Sequence, residues 1–245
     1  MSSQDCNDML GDSKAIVTNQ PGIHEKLDEI VAKHLSHEFK KPYQAHTQAA
    51  FDEMNALVQA FLAKNPQGEV ILDACCGVGQ STRLLAKQNP NGLVIGVDKS
   101  AHRINRNVED HQHADSYQAD NYHLVRADLN DFYRLVKAAN WPVSKHYILY
   151  PNPWPKSKHI QRRWHGSAVF PQMTSIGQQL ILRSNWRLYL EEFQQAAGQV
   201  GLLGDISLVE HESDSQEPAL TPFEAKYLAS GQNCYQLKLS RKSSD

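Results

Sequence analysis

Val70-Ile-Leu-Asp73-Ala-Cys-Cys-Gly77-Val-Gly79-Gln-Ser-Thr-Arg-Leu-Leu-Ala86-Lys, continuing to Leu93-Val-Ile-Gly-Val-Asp98, is the stretch that decides the fold. The apolar run 70–72 reads as a strand, Gly77 and Gly79 permit a tight turn with positive φ, and Leu84, Leu85 and Ala86 belong to a helix. Residues 93–97 return to strand character. A backbone that passes from strand to helix within a few residues leaves free N–H groups for a ligand lying across the turn. Asp98, about twenty residues past the glycines, is placed to accept hydrogen bonds from ribose hydroxyls.

The turn reads Asp-x-x-x-Gly-x-Gly, without the third glycine of the dinucleotide fingerprint. Asp73 would repel a pyrophosphate and attract a cation. S-adenosylmethionine, an adenosine carrying a cationic amino group, answers both facts better than NAD. A purely structural glycine turn in a βαβ unit is the competing reading, because glycine motifs are weakly specific.

The 245 residues suit one large α/β domain with a tail, able to bury a core without disulfides or metal. Cys6, Cys75, Cys76 and Cys234 show no paired spacing and read as reduced thiols. No apolar run reaches membrane-span length, and the N-terminus lacks a signal-peptide core, so no membrane association and a cytoplasmic location are expected. The net charge of −2 hides an asymmetry: between Asp131 and Glu191 there is no acid, but there are nine cations, including Lys156, Lys158, Arg162 and Arg163. Either one face is basic or the cations are scattered over solvated surfaces.

Residues 1–20 are polar without a sustained period and are expected to be disordered. Residues 21–67 read as two helices covering the domain, the second with a stripe of Phe51, Met54, Leu57, Val58, Phe61 and Leu62. After Asp98, a helix from Ser100 to His111 and a polar hinge through Asp120 lead to a third strand at Tyr122–Val125. His111, His113 and His123 lack a convincing further ligand, so no metal is expected. Asp128 can meet an adenine amino group, cap the helix 129–138, or do both. The fourth strand, 146–150, runs into Pro151-Asn152-Pro-Trp154-Pro-Lys156-Ser-Lys158-His-Ile-Gln-Arg162-Arg163. Three prolines in five residues hold a stiff loop where the ligand crevice should open. Asn152 is expected to project into that crevice, with Trp154 and the cations suited to base stacking and phosphate contacts.

These motifs, together with Ser184-Asn185-Trp and Thr221-Pro-Phe-Glu224, resemble the bacterial tRNA (guanine-N7)-methyltransferase family over about residues 68–242. The resemblance implies a Rossmann-like methyltransferase fold. Its seven-stranded sheet is mostly parallel, with helices on both faces and one antiparallel strand. It further implies S-adenosylmethionine as cofactor, tRNA as partner, and a monomer or weak homodimer. By that resemblance Asp73, Gly77, Gly79, Asp98, Asp128 and Asn152 line the cofactor site, Asn152 also standing between methyl donor and base. Lys156, Arg162, Arg163, Asn185, Thr221 and Glu224 are carried over as substrate-binding.

The chain departs from the family pattern in three places. The loop has Asn152 where the family usually has Asp, the later motif has Asn185 for Asp, and the glycine motif opens with Asp73 rather than Glu. Exchanging a charged for a neutral hydrogen bond costs about 1 kcal/mol or somewhat more, which implies a slower or retargeted enzyme rather than a dead one. Two rivals stand beside methylation at guanine N7. One is an amino methyltransferase that uses the Asn-Pro-x-aromatic loop. The other is a non-catalytic RNA-binding module.

Overall fold

The computed structural model describes residues 13–110, 121–210 and 218–241. Their seven strands are β1 (Glu69–Ala74), β2 (Gly92–Asp98), β3 (Tyr122–Arg126), β4 (Val143–Leu149), β5 (Gln179–Ser184), β6 (Leu202–Leu208) and β7 (Tyr235–Arg241). They form one sheet in the order β3-β2-β1-β4-β5-β7-β6. The first five run parallel, and β7 runs antiparallel between β5 and β6. The chain winds outward from β1 to β3 and then crosses back to place β4 on the other side of β1. That reversal opens a crevice at the carboxyl ends of β1 and β4.

Alternation along the strands sorts the core. Val70, Leu72 and Ala74 of β1, with Leu93, Ile95 and Val97 of β2, pack on one face with residues of α1 (Leu27–Ser36), α2 (Ala45–Lys64), α5 (Leu129–Ala138), α6 (Phe170–Thr174) and α7 (Arg187–Gly198). Ile71 and Val94 face the other way, onto Leu85 and Ala86 of α3 (Gln80–Gln88). Asp73 shares the parity of Ile71, so its carboxyl also belongs to the α3 side. The helices α4 (Ala101–Asp110) and α8 (Pro222–Ala229) complete the set. The expected α/β sheet with helices on both faces is the observed one.

Six alanines make α2 a strong helix former, and Asn65-Pro66 stops it, the Asn65 N–H and Nδ2 both donating to the Phe61 carbonyl. Phe51 stacks on Trp141 at 5.4 Å and meets Phe132 edge-on at 5.5 Å, which fixes α2 against α5. Leu57 of the expected stripe turns instead to solvent, 37% exposed, since it lies off the arc defined by Phe51, Met54 and Val58. The hinge 111–120, with His111 and His113, lies outside the described residues.

The disorder expected through residue 20 is not found in the part of the tail that is described. Thr18 Oγ1 donates to the Pro155 carbonyl at 2.6 Å, Asn19 exchanges hydrogen bonds with Ser157, and Gln20 is only 7% exposed beside Glu192. Polar composition misled there because the partners are mostly polar groups of the proline loop and of α7, with Ile16 alone packing on the apolar core.

Candidate active site

The turn after β1 is built from three consecutive departures into left-handed backbone, Cys75 (φ 62°), Gly77 (φ 60°) and Gly79 (φ 79°). Gly79 caps α3 without a side chain of its own. Asp98, 4% exposed at the end of β2, accepts from the Gly77 N–H at 3.2 Å through Oδ2 and from the Ser100 N–H at 2.7 Å through Oδ1. Arg103, half exposed, lies 3.5 Å from Oδ2.

Asp73 is wholly buried. Its Oδ2 accepts from Ser81 Oγ and Thr82 Oγ1, both at 2.7 Å, whereas Oδ1 has no hydrogen-bond partner among the described residues. Gly96 makes this possible: it pairs with Asp73 across the sheet, and a Cβ there would sit 2.3 Å from Thr82 Oγ1. Burial pushes the Asp73 carboxyl up to about 6, against the pull of the two hydroxyls. Among the described residues no cation pairs with it, so an orphan acceptor lies buried beneath the turn, the complement of a ligand ammonium. Burial and the charges of Asp98 and Asp73 push the Cys75 thiol up to about 12, which leaves it protonated and not nucleophilic.

Asp128 stands at the end of β3 and caps α5, Oδ1 accepting from the Asn130 N–H at 2.9 Å, while its own N–H donates to Thr47. The Ala127 N–H bonds to the Asp98 carbonyl, which brings the ends of β2 and β3 together. Thus Asp73, Asp98 and Asp128 end three neighbouring strands along one edge of the crevice.

On the far side of β1, β4 leads into the proline loop. Tyr150 (φ 50°) and Trp154 (φ 44°) bracket it in left-handed backbone, a conformation that costs an L-residue about 1–3 kcal/mol and recurs at functional sites. Asn152 is exposed, its Oδ1 accepting from the Trp154 N–H at 3.3 Å. Arg162 lies over the Trp154 ring at 4.6 Å, and His159 meets it edge-on at 5.6 Å. Lys156, Lys158 and Arg162 are exposed, giving the loop a solvent-facing cationic rim.

Arg163 does not join that rim. It is fully buried, ion-paired with Glu192 and donating from Nε and Nη2 to the Trp154 carbonyl. Its burial leaves Arg163 no surface for the expected RNA contact, whereas Arg162 is exposed. A short 3₁₀ helix, Ser157–Arg162, ends between the two arginines, and both reach Trp154, the exposed Arg162 over its ring and the buried Arg163 at its carbonyl.

Thr221 and Glu224 also differ from the expectation of direct substrate contact. Thr221, 7% exposed, caps α8 by accepting from the Glu224 N–H at 3.0 Å. Glu224, fully buried, accepts from Arg183 Nη1 through both carboxylate oxygens (3.0 and 3.1 Å), from the Tyr150 hydroxyl (2.8 Å) and from the Leu220 N–H (3.2 Å). Its carboxylate is spent on fastening α8 to the strained end of β4. Asn185, half-buried after β5, donates to Gln232 Oε1 at 2.9 Å. Sequence reading missed Ser81, Thr82, Tyr150, Arg183 and Glu192. None of these had a local sequence signal, whereas Thr221-x-x-Glu224 carried one for its capping role, since that spacing is a helix-capping pattern.

A family model described as "Putative methyltransferase" matches residues 67–237. The chain is 26% identical over 216 residues to the tRNA (guanine-N(7)-)-methyltransferase of Alkaliphilus oremlandii, covering 83% of this chain and 93% of that one. It is 25% identical to the protein of the same name from Lachnoclostridium phytofermentans, covering 68% and 78%. Among solved structures, a variant of the 16S rRNA (adenine(1408)-N(1))-methyltransferase of Catenulisporales acidiphilia with SAM superposes with a TM-score of 0.55, at 16% identity, covering 79% and 92% of the two chains, a likeness of fold alone. With the model matched across both the glycine turn and the proline loop, the chain belongs to this methyltransferase family, as a divergent member.

Proposed function

We propose that the protein is an S-adenosylmethionine-dependent tRNA (guanine-N7)-methyltransferase. The observation that carries this reading is the convergence, on adjacent strand ends, of the glycine turn bonded to Asp98 and the stiff loop bearing Asn152 with its cationic rim. The relatives named above for tRNA (guanine-N(7)-) methylation support it. In this reading residues 68–242 form the catalytic domain and 21–67 its helical cover. The protein works in the cytoplasm as a monomer or weak homodimer. No helix among the described residues is long and apolar enough to cross a membrane.

S-adenosylmethionine, when bound, supplies an activated methyl group on a sulfonium. Asp98 accepts from the ribose hydroxyls, the open N–H groups around Gly77 and Gly79 line the turn, and Asp73 supplies the counter-charge for the ammonium. Asp128 serves the adenine end. Guanine N7 carries a free lone pair, so no general base is required and the protein's task is to hold a near-attack geometry. Asn152 and Asn185 orient the base with neutral hydrogen bonds, and Lys156, Lys158 and Arg162 take phosphates.

Methyl transfer from labelled S-adenosylmethionine to unmodified tRNA, followed by nucleoside analysis, tests the proposal. Label in 7-methylguanosine is the expected result. Label in another nucleoside would move the target to an exocyclic amine, and tRNA binding with no transfer would mean a non-catalytic RNA-binding protein.

A further inference from the structure

We propose that Arg163, held from behind by Glu192, is a positioning residue for methyl transfer: its guanidinium sets the backbone of the loop that carries Asn152. The inference rests on the function proposed above.

The loop cannot hold itself. Pro151, Pro153 and Pro155 have no N–H, so between residues 151 and 155 only Asn152 and Trp154 can donate from the backbone. Its shape must come from donors outside acting on its carbonyls, and two side chains among the described residues do so. Arg163 gives Nε and Nη2 to the Trp154 carbonyl at 3.2 and 3.1 Å, and Thr18 gives its hydroxyl to the Pro155 carbonyl at 2.6 Å. The first acts on a residue in left-handed backbone, where an L-residue stays only if its surroundings over-determine it. The same residue's N–H is the group that Asn152 Oδ1 accepts at 3.3 Å. The orientation of Trp154 thus fixes Asn152, and Arg163 fixes Trp154.

Glu192 makes Arg163 rigid. The carboxylate takes Arg163 Nη1 and His165 Nε2 on one oxygen, and Gln20 Nε2 and the His24 N–H on the other. Gln20 Oε1 in turn accepts from Arg163 Nη2 at 3.1 Å, and Trp186 covers the guanidinium at 4.9 Å. Burial opposes the charge, but His165, Arg163 and Gln20 together hold the Glu192 carboxyl down at about 2, so it stays ionised throughout the working range. A buried ion pair needs only opposite charges, whereas two donors aimed at one loop carbonyl require a guanidinium.

The test is Arg163→Lys, which keeps the cation beside Glu192 and removes the fork. The expected result is about a tenfold fall in kcat for methyl transfer to tRNA, as for a lost near-attack geometry. S-adenosylmethionine affinity and the KM for tRNA should stay unchanged, and amide exchange at Trp154 should be faster. Wild-type kcat and exchange in the variant would overturn the proposal, as would a loss spread equally over cofactor binding and thermal stability. Thr18→Val, which leaves the ion pair untouched, carries the test if the lysine variant does not fold. It should shift kcat and loop exchange in the same direction by a smaller factor, and no shift in either overturns the proposal. If the wild-type protein transfers no methyl to tRNA, the function proposed above falls, and exchange in the absence of RNA alone decides whether Arg163 orders the loop.

Discussion

The Gly77 amide donates to the Asp98 carboxylate at 3.2 Å although the two residues stand 21 positions apart in the chain. One oxygen of Asp98 therefore secures the glycine turn while the other secures the start of α4 through the Ser100 N–H. Such a carboxylate is preorganised before a ligand arrives. Asp98→Ala removes both anchors and the proposed ribose acceptor. Losing charge-assisted hydrogen bonds at about 1.5–3 kcal/mol each should weaken S-adenosylmethionine by one to two orders of magnitude. Calorimetric titration of the cofactor and filter binding of tRNA check this. Equal losses in both would refute the division between cofactor edge and RNA rim.

Asp73 predicts a pH dependence with a definite sign. Its folded value of about 6 lies above the ordinary 3.8, so between those values the native state binds more protons than the unfolded chain. Stability of the ligand-free protein should fall as pH rises through this window, by on the order of 3 kcal/mol from this group. Asp73→Asn abolishes the ionisation, so its stability relative to wild type should improve from pH 4 to pH 7 in urea titrations. A pH-independent difference would show that the carboxyl is not desolvated. Cofactor affinity of the wild type should rise over the same window as the counter-charge to the ammonium appears, and the variant should lack that rise.

Two neighbouring arginines should behave as different kinds of residue. Arg162 is exposed over Trp154, so Arg162→Ala should leave stability within about 0.5 kcal/mol, weaken tRNA binding, and reduce the salt slope by about 1. Arg163→Ala strands the Glu192 carboxylate in the core and should cost about 3–5 kcal/mol of stability. Denaturant titration and salt-dependent binding separate the two. Matching effects on both measurements would contradict the burial of Arg163.

That contrast also marks what sequence could and could not tell. Local signals were readable: Asp128 caps a helix running over Leu129–Ala138, as its position before an amphipathic run implies, and the apolar runs around the glycines became β1 and β2. Composition could not say which of Arg162 and Arg163 points inward. The answer depends on Glu192, 29 residues on, and on Gln20, 143 residues back. Polar composition failed as a disorder signal at residues 13–20 for the same reason, because their partners are distant in sequence. Thr221 and Glu224 were legible as a helix cap, yet the family resemblance drew the reading toward substrate. Their packing against Arg183 and Tyr150 is a tertiary fact that no local pattern carries.

The two amides that replace the family's acids are not equivalent, and the geometry says which can be reversed. Among the described residues the Asn152 side chain acts only as an acceptor, from the Trp154 N–H, so Asn152→Asp preserves that hydrogen bond and adds a charge beside the proposed base site. Asn185 uses its side chain as a donor to Gln232 Oε1, and Gln232 in turn donates to the Ser13 carbonyl, so Asn185→Asp sets two acceptors against each other and loosens that connection. A charged acceptor near the base is worth roughly 1 kcal/mol more than a neutral one, which predicts about a fivefold rise in kcat for 7-methylguanosine formation in Asn152→Asp. Asn185→Asp should give no gain, and Asn185→Asp with Gln232→Lys should recover whatever the single change loses. Single-turnover methyl transfer on tRNA reads all three. A slower Asn152→Asp enzyme would mean that the Asn152 amide donates to the substrate, and that the chain has been refitted to a different acceptor atom.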